Sequence, residues 1–355
     1  MRVLYVAEAF ETGVMAMILE VASGIARRGH DVAIAHGLRP RTPRPDRLAR
    51  LVGPDVELHP LPWHRRTPGM QLAAVRELRR FATSWRPDVA HLYSTFAGIG
   101  GSLALSSRVP TVWTPQAYPS AITGIDPLRR FAYRTAEARV SRRVAVVGAC
   151  SEDEAQIARG HRAASVEVVP NGIPELDDEP PPRPQRERRV IAVGRIAAQQ
   201  QPEASARILS AISDLARVAW IGSAGGREGA RETRALEAAE IEVTGWRPRD
   251  QVLNELARAS AYLHWSAWDG LPVSVLEAMA MDAVVVASDI GPNRELLGAD
   301  GVCRSEEEAI RMLRRVHEDP AYAEERRARQ RERRRLYGSR RMVDGWERLY
   351  RKLSS

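Results

Sequence analysis

Short apolar runs alternate along the whole chain with longer stretches of helical spacing. Val3-Leu4-Tyr5-Val6-Ala7 predicts a strand, a loop from Glu8 to Gly13 follows, and a helical pattern runs from Met15 to Arg28. Gly29-His30 ends that helix, and Asp31-Val32-Ala33-Ile34-Ala35 restarts a strand. A βαβ unit of this kind implies a parallel pair whose carboxyl-end loops line a ligand crevice. From Leu38 to Arg66 the pattern weakens, and Arg39, Arg41, Arg44, Arg47, Arg50, Arg65 and Arg66 among prolines read as an exposed basic excursion. A helix from Met70 to Trp85, a strand from Asp88 to Tyr93, a Ser/Gly loop from Ser94 to Gly101 and a strand from Thr111 to Thr114 come next. Val144 to Val147 and Val166 to Gly172 supply the last strands of the first half.

Glu175 to Arg188, with Pro180-Pro181-Pro182, is too rich in proline and charge to form a core element. A second βα series begins at Arg189 to Arg195, and strands recur near Val218 to Gly222, Ile241 to Gly245, Ala261 to Leu263 and Ala283 to Ala287. The expected class is α/β. A first Rossmann-like domain spans 1–175, a linker 176–188, a second Rossmann-like domain 189–335, and a terminal helix 336–355 packs back on the first. Two doubly wound domains facing across a cleft form a substrate-closing architecture. In the terminal helix Met342, Trp346, Leu349, Tyr350 and Leu353 share one face and need a partner surface, whereas Glu324 to Arg335 is a charged run expected to form a solvated helix.

Charge changes this picture in one region. Net charge is +8, and Lys352 is the sole lysine, so arginine carries the excess. Arg129, Arg130, Arg134, Arg139, Arg142 and Arg143 stud a helix that also carries Leu128, Phe131, Ala132, Val140 and Val144. One face of it suits acidic headgroups while the other packs inward; the alternative is a plain solvated face. Nucleic-acid binding rests on charge alone and lacks a motif. Cys150 and Cys303 have no metal-ligand spacing, so neither a disulfide framework nor a zinc site is expected. Met1 to Glu8 reaches an acid too early for a signal sequence, and a long apolar span is missing, so the expectation is a cytoplasmic protein, soluble or peripheral at the inner face of the membrane.

The candidate chemistry lies in Trp265-Ser266-Ala267-Trp268-Asp269-Gly270-Leu271-Pro272-Val273-Ser274-Val275-Leu276-Glu277-Ala278-Met279-Ala280. Gly270 and Pro272 keep the start irregular, Leu271, Val275 and Met279 turn one face of a following helix to the core, and Glu277 falls near the rim of another face. Carboxylates beside a helix start suit sugar hydroxyls, which they accept in pairs. The plainer alternative is a capping Asp and a solvated Glu. Gly13 either admits a ligand close to the backbone or only makes a turn. The first loop lacks the spaced glycines of a dinucleotide fingerprint, and a Gly-Lys-Ser/Thr phosphate loop is missing.

In order and spacing these residues resemble the retaining glycosyltransferases of family four, which have the two-domain GT-B fold. Asp269 to Glu277 resembles the family's Glu-x7-Glu motif; Val193-Gly194-Arg195-Ile196 with Gln199, Pro202 and Glu203 resembles its phosphate-binding segment. Val285 to Glu295, Pro170-Asn171-Gly172, Gly13-Val14 and Gly29-His30-Asp31-Val32 complete the match. The resemblance implies an enzyme of hexosyltransferase type, working in cell-envelope or polysaccharide synthesis. It would move a sugar from a UDP- or GDP-linked donor to a sugar or lipid-linked acceptor, without a metal or other cofactor. By the same resemblance Arg195 contacts the diphosphate, Gly13 lets the backbone approach the donor phosphate or the acceptor, Gly194 and Gln200 lie by the donor, Glu277 holds ribose hydroxyls and Asp269 binds the sugar, with Arg195, Asp269 and Gln116 the catalytic residues. Trp246 and Arg247 lie by the base, and Ser274 and Val275 offer amides to phosphate, with Gly270, Leu271 and Pro272 shaping the loop.

Three positions depart from the family pattern. Gln200 stands where a lysine is usual, Gln116 where a histidine is usual, and Asp269 where the first Glu is usual. Gln200 carries no charge, and a cation near 4 Å is worth roughly 4 kcal/mol at an effective dielectric of 20 before desolvation. Gln116 can bond a sugar hydroxyl but cannot titrate. Two main readings follow: an active transferase that neutralises diphosphate with other cations, such as Arg247 or Arg294, or a catalytically impaired nucleotide-sugar binder. An epimerase of the same architecture is a third, which the Asp269 to Glu277 stretch does not mark.

Overall fold

The computed structural model describes residues 1–64, 67–174, 187–224 and 229–355. Arg65 and Arg66 of the basic excursion, and residues 176–186 of the expected linker, lie outside the described residues. The chain divides into two compact units, Met1–Pro174 with Ser339–Ser355, and Glu175–Gly338.

The first unit runs β1 (Arg2–Ala7), α1 (Thr12–Ala26), β2 (Asp31–Gly37), α2 (Pro45–Val52), β3 (Val56–Leu61), α3 (Pro68–Trp85) and β4 (Val89–Tyr93). It continues through α4 (Thr95–Ala104), β5 (Thr111–Thr114), α5 (Pro127–Arg143), β6 (Val146–Ala149), α6 (Glu152–Gly160) and β7 (Val166–Val168). The sheet order is β3-β2-β1-β4-β5-β6-β7 and every pairing is parallel. Strands such as Val3–Ala7 are covered on both faces, which is why they read as continuous apolar runs without alternation.

Several local expectations change. α1 begins at Thr12, so Gly13 sits in the first helical turn and not in the loop before it. The basic excursion contains α2 and the edge strand β3, seated by Leu48, Val52, Val56 and Leu61; Pro60 is tolerated because an edge strand can leave one side unpaired. Ser94 to Gly101 is mostly helix. The Ser94 hydroxyl caps Ala97 N–H, and a Cβ on Gly98 or Gly101 would run into Trp113 or Leu92, so close packing outweighs the poor helix propensity of glycine. On α5 the inward face is Glu137, Val140 and Ser141, while Leu128, Phe131 and Ala132, expected among the apolar contacts, are exposed.

The second unit runs β8 (Glu187–Val193), α7 (Pro202–Ser210), β9 (Arg217–Ile221), α8 (Gly229–Ala238), β10 (Glu242–Val243), α9 (Arg249–Arg258) and β11 (Ala259–His264). Then come α10 (Val273–Ala280), β12 (Val284–Ser288), α11 (Gly291–Leu297), β13 (Val302–Cys303), α12 (Glu306–Glu318) and α13 (Pro320–Arg334). Glu187 and Arg188, expected in the linker, open β8 as exposed strand residues. Sheet order is β10-β9-β8-β11-β12-β13, again parallel throughout. The charged run is more than a solvated helix. α13 buries Ala323, Arg326 and Gln330; Arg326 donates to the Asp300 and Gly301 carbonyls, and Gln330 pairs with Val285 N–H and the Ala283 carbonyl. The Arg326 Nη atoms and the Gln330 amide thereby find backbone partners, while Arg326 Nε has none. Among the described residues, no helix is long and apolar enough to cross a membrane.

The last helix, α14 (Ser339–Ser354), belongs to the first unit. Trp346 packs over Gly148, where a Cβ would strike the indole, and Tyr350 Oη lies 2.6 Å from His91 Nδ1. His91 Nε2 meets Thr114 Oγ1 at 2.7 Å, and that hydroxyl donates to Gly148 O, so a buried polar chain ties α14 to β4, β5 and β6. At the rim Glu347 accepts from Arg28 at 2.5 Å and lies 3.0 Å from His30 Nε2. The His30 bond, with Arg28 and Arg351, pulls Glu347 down from 4.5 to about 2. A depressed carboxyl stabilises the fold fully above its unfolded value and loses that contribution as pH falls through the folded one. Glu347→Gln should therefore cost about 2–3 kcal/mol at pH 7 and little at pH 2. Urea unfolding of the first unit at both pH values, followed by hydrogen exchange, measures the difference.

Candidate functional site

In the second sheet the strand order reverses between β8 and β11, and ligands of doubly wound folds bind at the carboxyl ends of strands flanking such a reversal. Two loops leave there, 194–201 and 265–272, and hydrogen bonds join them. The Gln199 carbonyl accepts from Ala267 N–H at 2.8 Å and Ser266 Oγ at 3.0 Å, while Gln199 Nε2 donates to Trp268 O at 3.1 Å. Gly194 adopts φ +151°, and Trp220 Nε1 donates to its carbonyl at 2.9 Å. A Cβ on neighbouring Gly222 would overlap that carbonyl, so the ends of β8 and β9 are close-packed through glycine. Gln200 lays its side chain beside Gly194. Arg195 is exposed and makes neither a hydrogen bond nor an ion pair among the described residues.

The second loop holds Asp269. Its Oδ1 accepts from Gly270 N–H at 2.9 Å, and Oδ2 lies 3.6 Å from His264 Nε2. Pro272 occupies the N-cap of α10, so Asp269 is not the helix cap. His264 is buried, its Nδ1 is 3.2 Å from Tyr262 Oη, and Tyr262 Oη donates to Ser274 Oγ at 2.9 Å. The sequence Ser274, Tyr262, His264, Asp269 thus crosses from the helix start to the loop carboxylate. Only 18% of the Asp269 side chain reaches solvent, and burial pushes it up to about 6, with the Gly270 amide opposing. Burial draws His264 down to about 4, so the imidazole is neutral near pH 7 and Asp269 is mostly ionised.

Glu277 is not at a solvated rim. It is 8% exposed, and Arg249 Nε, at the start of α9, donates to its Oε1 at 2.5 Å. Burial raises this carboxyl and Arg249 lowers it, leaving it above the ordinary value. Its Oε2 has no partner among the described residues. Leu271, Val275 and Met279 face the core as expected, but the Val275 amide is already bonded to Pro272 O at 3.2 Å. Gly270 and Leu271 are buried, and Ser274 is half-buried. After the turn at Gly245, Trp246 is 51% exposed, and Arg247 Nε is buried without a hydrogen bond. Arg294, one candidate extra cation, is held by both oxygens of Asp289.

Gly13 and Gln116 belong to the first unit. Gln116, at φ +61°, exchanges two amide hydrogen bonds with Asn171, at 3.1 and 3.2 Å. Arg249, Tyr262 and His264 escaped notice as site residues. Arg249 and Glu277 lie 28 positions apart on different helices, so no spacing rule joins them, and His264 reads simply as the last residue of a strand.

Two family models match the chain, the Glycosyl transferase 4-like domain over residues 12–172 and Glycosyl transferases group 1 over residues 187–319. The chain belongs to the glycosyltransferases. Its fold is GT-B, as in several solved structures to which this glycosyltransferase is similar. Sucrose-phosphate synthase from Thermosynechococcus elongatus is 16% identical, with a TM-score of 0.83 and 99% of each chain covered. HepE from Anabaena, in complex with UDP and glucose, is 16% identical, with a TM-score of 0.77 over 100% of this chain and 99% of that one. The lipopolysaccharide outer core galactosyltransferase WaaB is 14% identical, with a TM-score of 0.67 over 99% and 100%. At these identities the likeness is one of fold. No curated protein matches the chain by sequence.

Removing Arg249 leaves a buried carboxylate without its cation, so Arg249→Ala should destabilise the glycosyltransferase by about 1–3 kcal/mol. Adding Glu277→Gln should recover most of that loss, because the uncompensated charge disappears with it. Denaturant unfolding of the single and double variants checks the coupling.

Proposed function

We propose that this glycosyltransferase moves a sugar, with retention of anomeric configuration, from a UDP-linked donor to an acceptor hydroxyl. The observation that carries this reading is the second unit's switch point. There hydrogen bonds join the Arg195 loop to the Asp269 loop, α10 starts where that second loop ends, and an ion pair to Arg249 holds the buried Glu277 carboxylate. Support for the base comes from HepE, a structural neighbour seen with UDP and glucose and with UDP-glucose.

The reaction breaks the bond between the anomeric carbon and the diphosphate and forms one to the acceptor oxygen. Charge grows on the departing diphosphate, and fixed cations and amides facing it lower the barrier most. Arg195, exposed and unpaired, takes that role, with the Ser274 amide at the start of α10. Glu277 accepts ribose hydroxyls through Oε2 while Arg249 occupies Oε1. Asp269 accepts a sugar hydroxyl. Gln200 lies beside Gly194 and adds no charge.

A second reading, a nucleotide-sugar binder with little turnover, is favoured by two particulars. Gln200 is neutral, and Gln116 has both ends of its amide bonded to Asn171. Either reading requires that UDP raise the melting temperature, as a ligand of the folded state must; no shift at millimolar UDP would sink both. Transfer further requires UDP release from one donor of a panel when acceptors are supplied. Arg195→Ala should then lower kcat about 10²–10³-fold.

Because an ionised Asp269 accepts a hydroxyl more strongly than a protonated one, affinity for the UDP-sugar should fall as pH drops below about 6 in the wild type and not in Asp269→Asn, while the UDP profile, set by its own terminal phosphate, should be the same in both. Calorimetric titrations of both ligands from pH 5 to pH 8 on wild type and Asp269→Asn separate the two. A flat wild-type profile for the UDP-sugar would remove Asp269 from the sugar.

A further inference from the structure

The arginine excess is matched to acids over much of the chain. Arg207 pairs with Glu306, Arg314 with Asp214, Arg331 with Asp282 and Glu324, and Arg351 with Glu347. α5 departs from this. Arg129, Arg130, Arg134, Arg139, Arg142 and Arg143 are exposed, and none makes an ion pair among the described residues. Where these side chains bond, they bond to backbone: Arg130 to Ile122 O, Arg142 to Ala138 O and Arg143 to Ser102 O. The helix's own acid, Glu137, is fully buried, accepting from Ser120 N–H at 3.1 Å and lying 4.0 Å from His161 Nε2.

The same helix exposes Leu128 to 76% and Phe131 to 68%, more than any other large apolar side chain described. With 3.6 residues per turn, Leu128, Phe131, Thr135, Arg139 and Arg142 run along the side opposite Glu137, Val140 and Ser141, which face the unit's interior. All of residues 126–132 are exposed. An apolar tip ringed by unpaired cations, on a helix anchored by its other half, is the arrangement that seats on a charged interface.

We propose that α5 is a peripheral anchor, placing Leu128 and Phe131 among the acyl chains of an anionic bilayer while the surrounding arginines bind headgroup phosphates. The apolar pair decides between partners. Nucleic acid would use the arginines but gain nothing from two solvent-facing apolar side chains, whereas a bilayer uses both. Anchoring does not rest on the sugar-transfer reading.

The test is flotation of the full chain with vesicles of phosphatidylcholine alone and of phosphatidylcholine mixed equally with phosphatidylglycerol. The full chain should float with the mixed vesicles and not with the neutral ones. Leu128→Ser with Phe131→Ser should lower partition at least tenfold, and Gln at 129, 130 and 134 should lower it by about fivefold per charge. All of these positions are exposed, and an unchanged melting curve with and without UDP shows that the variants keep the fold and the nucleotide site. Absence from mixed vesicles overturns the proposal. So does binding indifferent to the Leu128 and Phe131 changes, or binding to duplex DNA stronger than to mixed vesicles and equally indifferent to them.

Discussion

The carbonyl of Gln199 holds the second unit's functional end together. It accepts from Ala267 N–H and from Ser266 Oγ, and so fixes the loop after β8 to the loop after β11. Those loops leave adjacent strands separated by about 70 residues of sequence, and the only regular element in either is one 3-10 turn, Ala198–Gln200. Once joined, the loops set where Arg195 and Asp269 start from the backbone; the Arg195 side chain is exposed, while Asp269 keeps one oxygen on Gly270 N–H. Glu277 follows, because α10 starts where the second loop ends.

Electrostatics at this end is governed by burial more than by charge pairing. Asp269 is raised by burial and faces a histidine that burial keeps neutral, while Glu277 keeps a cation yet still stands above its ordinary value. A buried carboxylate is costly unless bonded, so the arrangement persists only because Gly270 N–H and Arg249 each satisfy one oxygen. Tyr262 and Ser274 extend this polar path beneath the helix start. Stability is given up here to keep acceptor oxygens pointed and dry, as strained or costly features of binding sites commonly do.

Much of the alternating architecture is legible in the sequence because parallel strands covered on both faces leave uninterrupted apolar runs, as in Val3–Ala7 and Val284–Ala287. What escapes is whatever depends on tertiary contact. The glycines of α4 read as a loop, and only the indole of Trp113 and the Leu92 side chain explain why a helix of small residues belongs there. Leu128 and Phe131 read as core residues, since helical spacing alone cannot say which side of α5 meets the sheet. Glu277 reads as solvated because its partner, Arg249, is supplied by a different helix. Asp269 and Glu277 stand in one short stretch and Gly194 and Arg195 in another, so local spacing singles out each pair, but the bonds that join the two stretches are tertiary.

The position of α14 orders the events of synthesis. Trp346 and Tyr350, which close over Gly148 and His91 of the first sheet, are translated after every residue of the second unit. A ribosome making this stretch therefore leaves the first unit with an open apolar seam while residues 187–338 are made, and the piece that seals it arrives only with residues 339–354. The first unit is completed after the second. During that interval its unsealed surface is a target for chaperones and for aggregation.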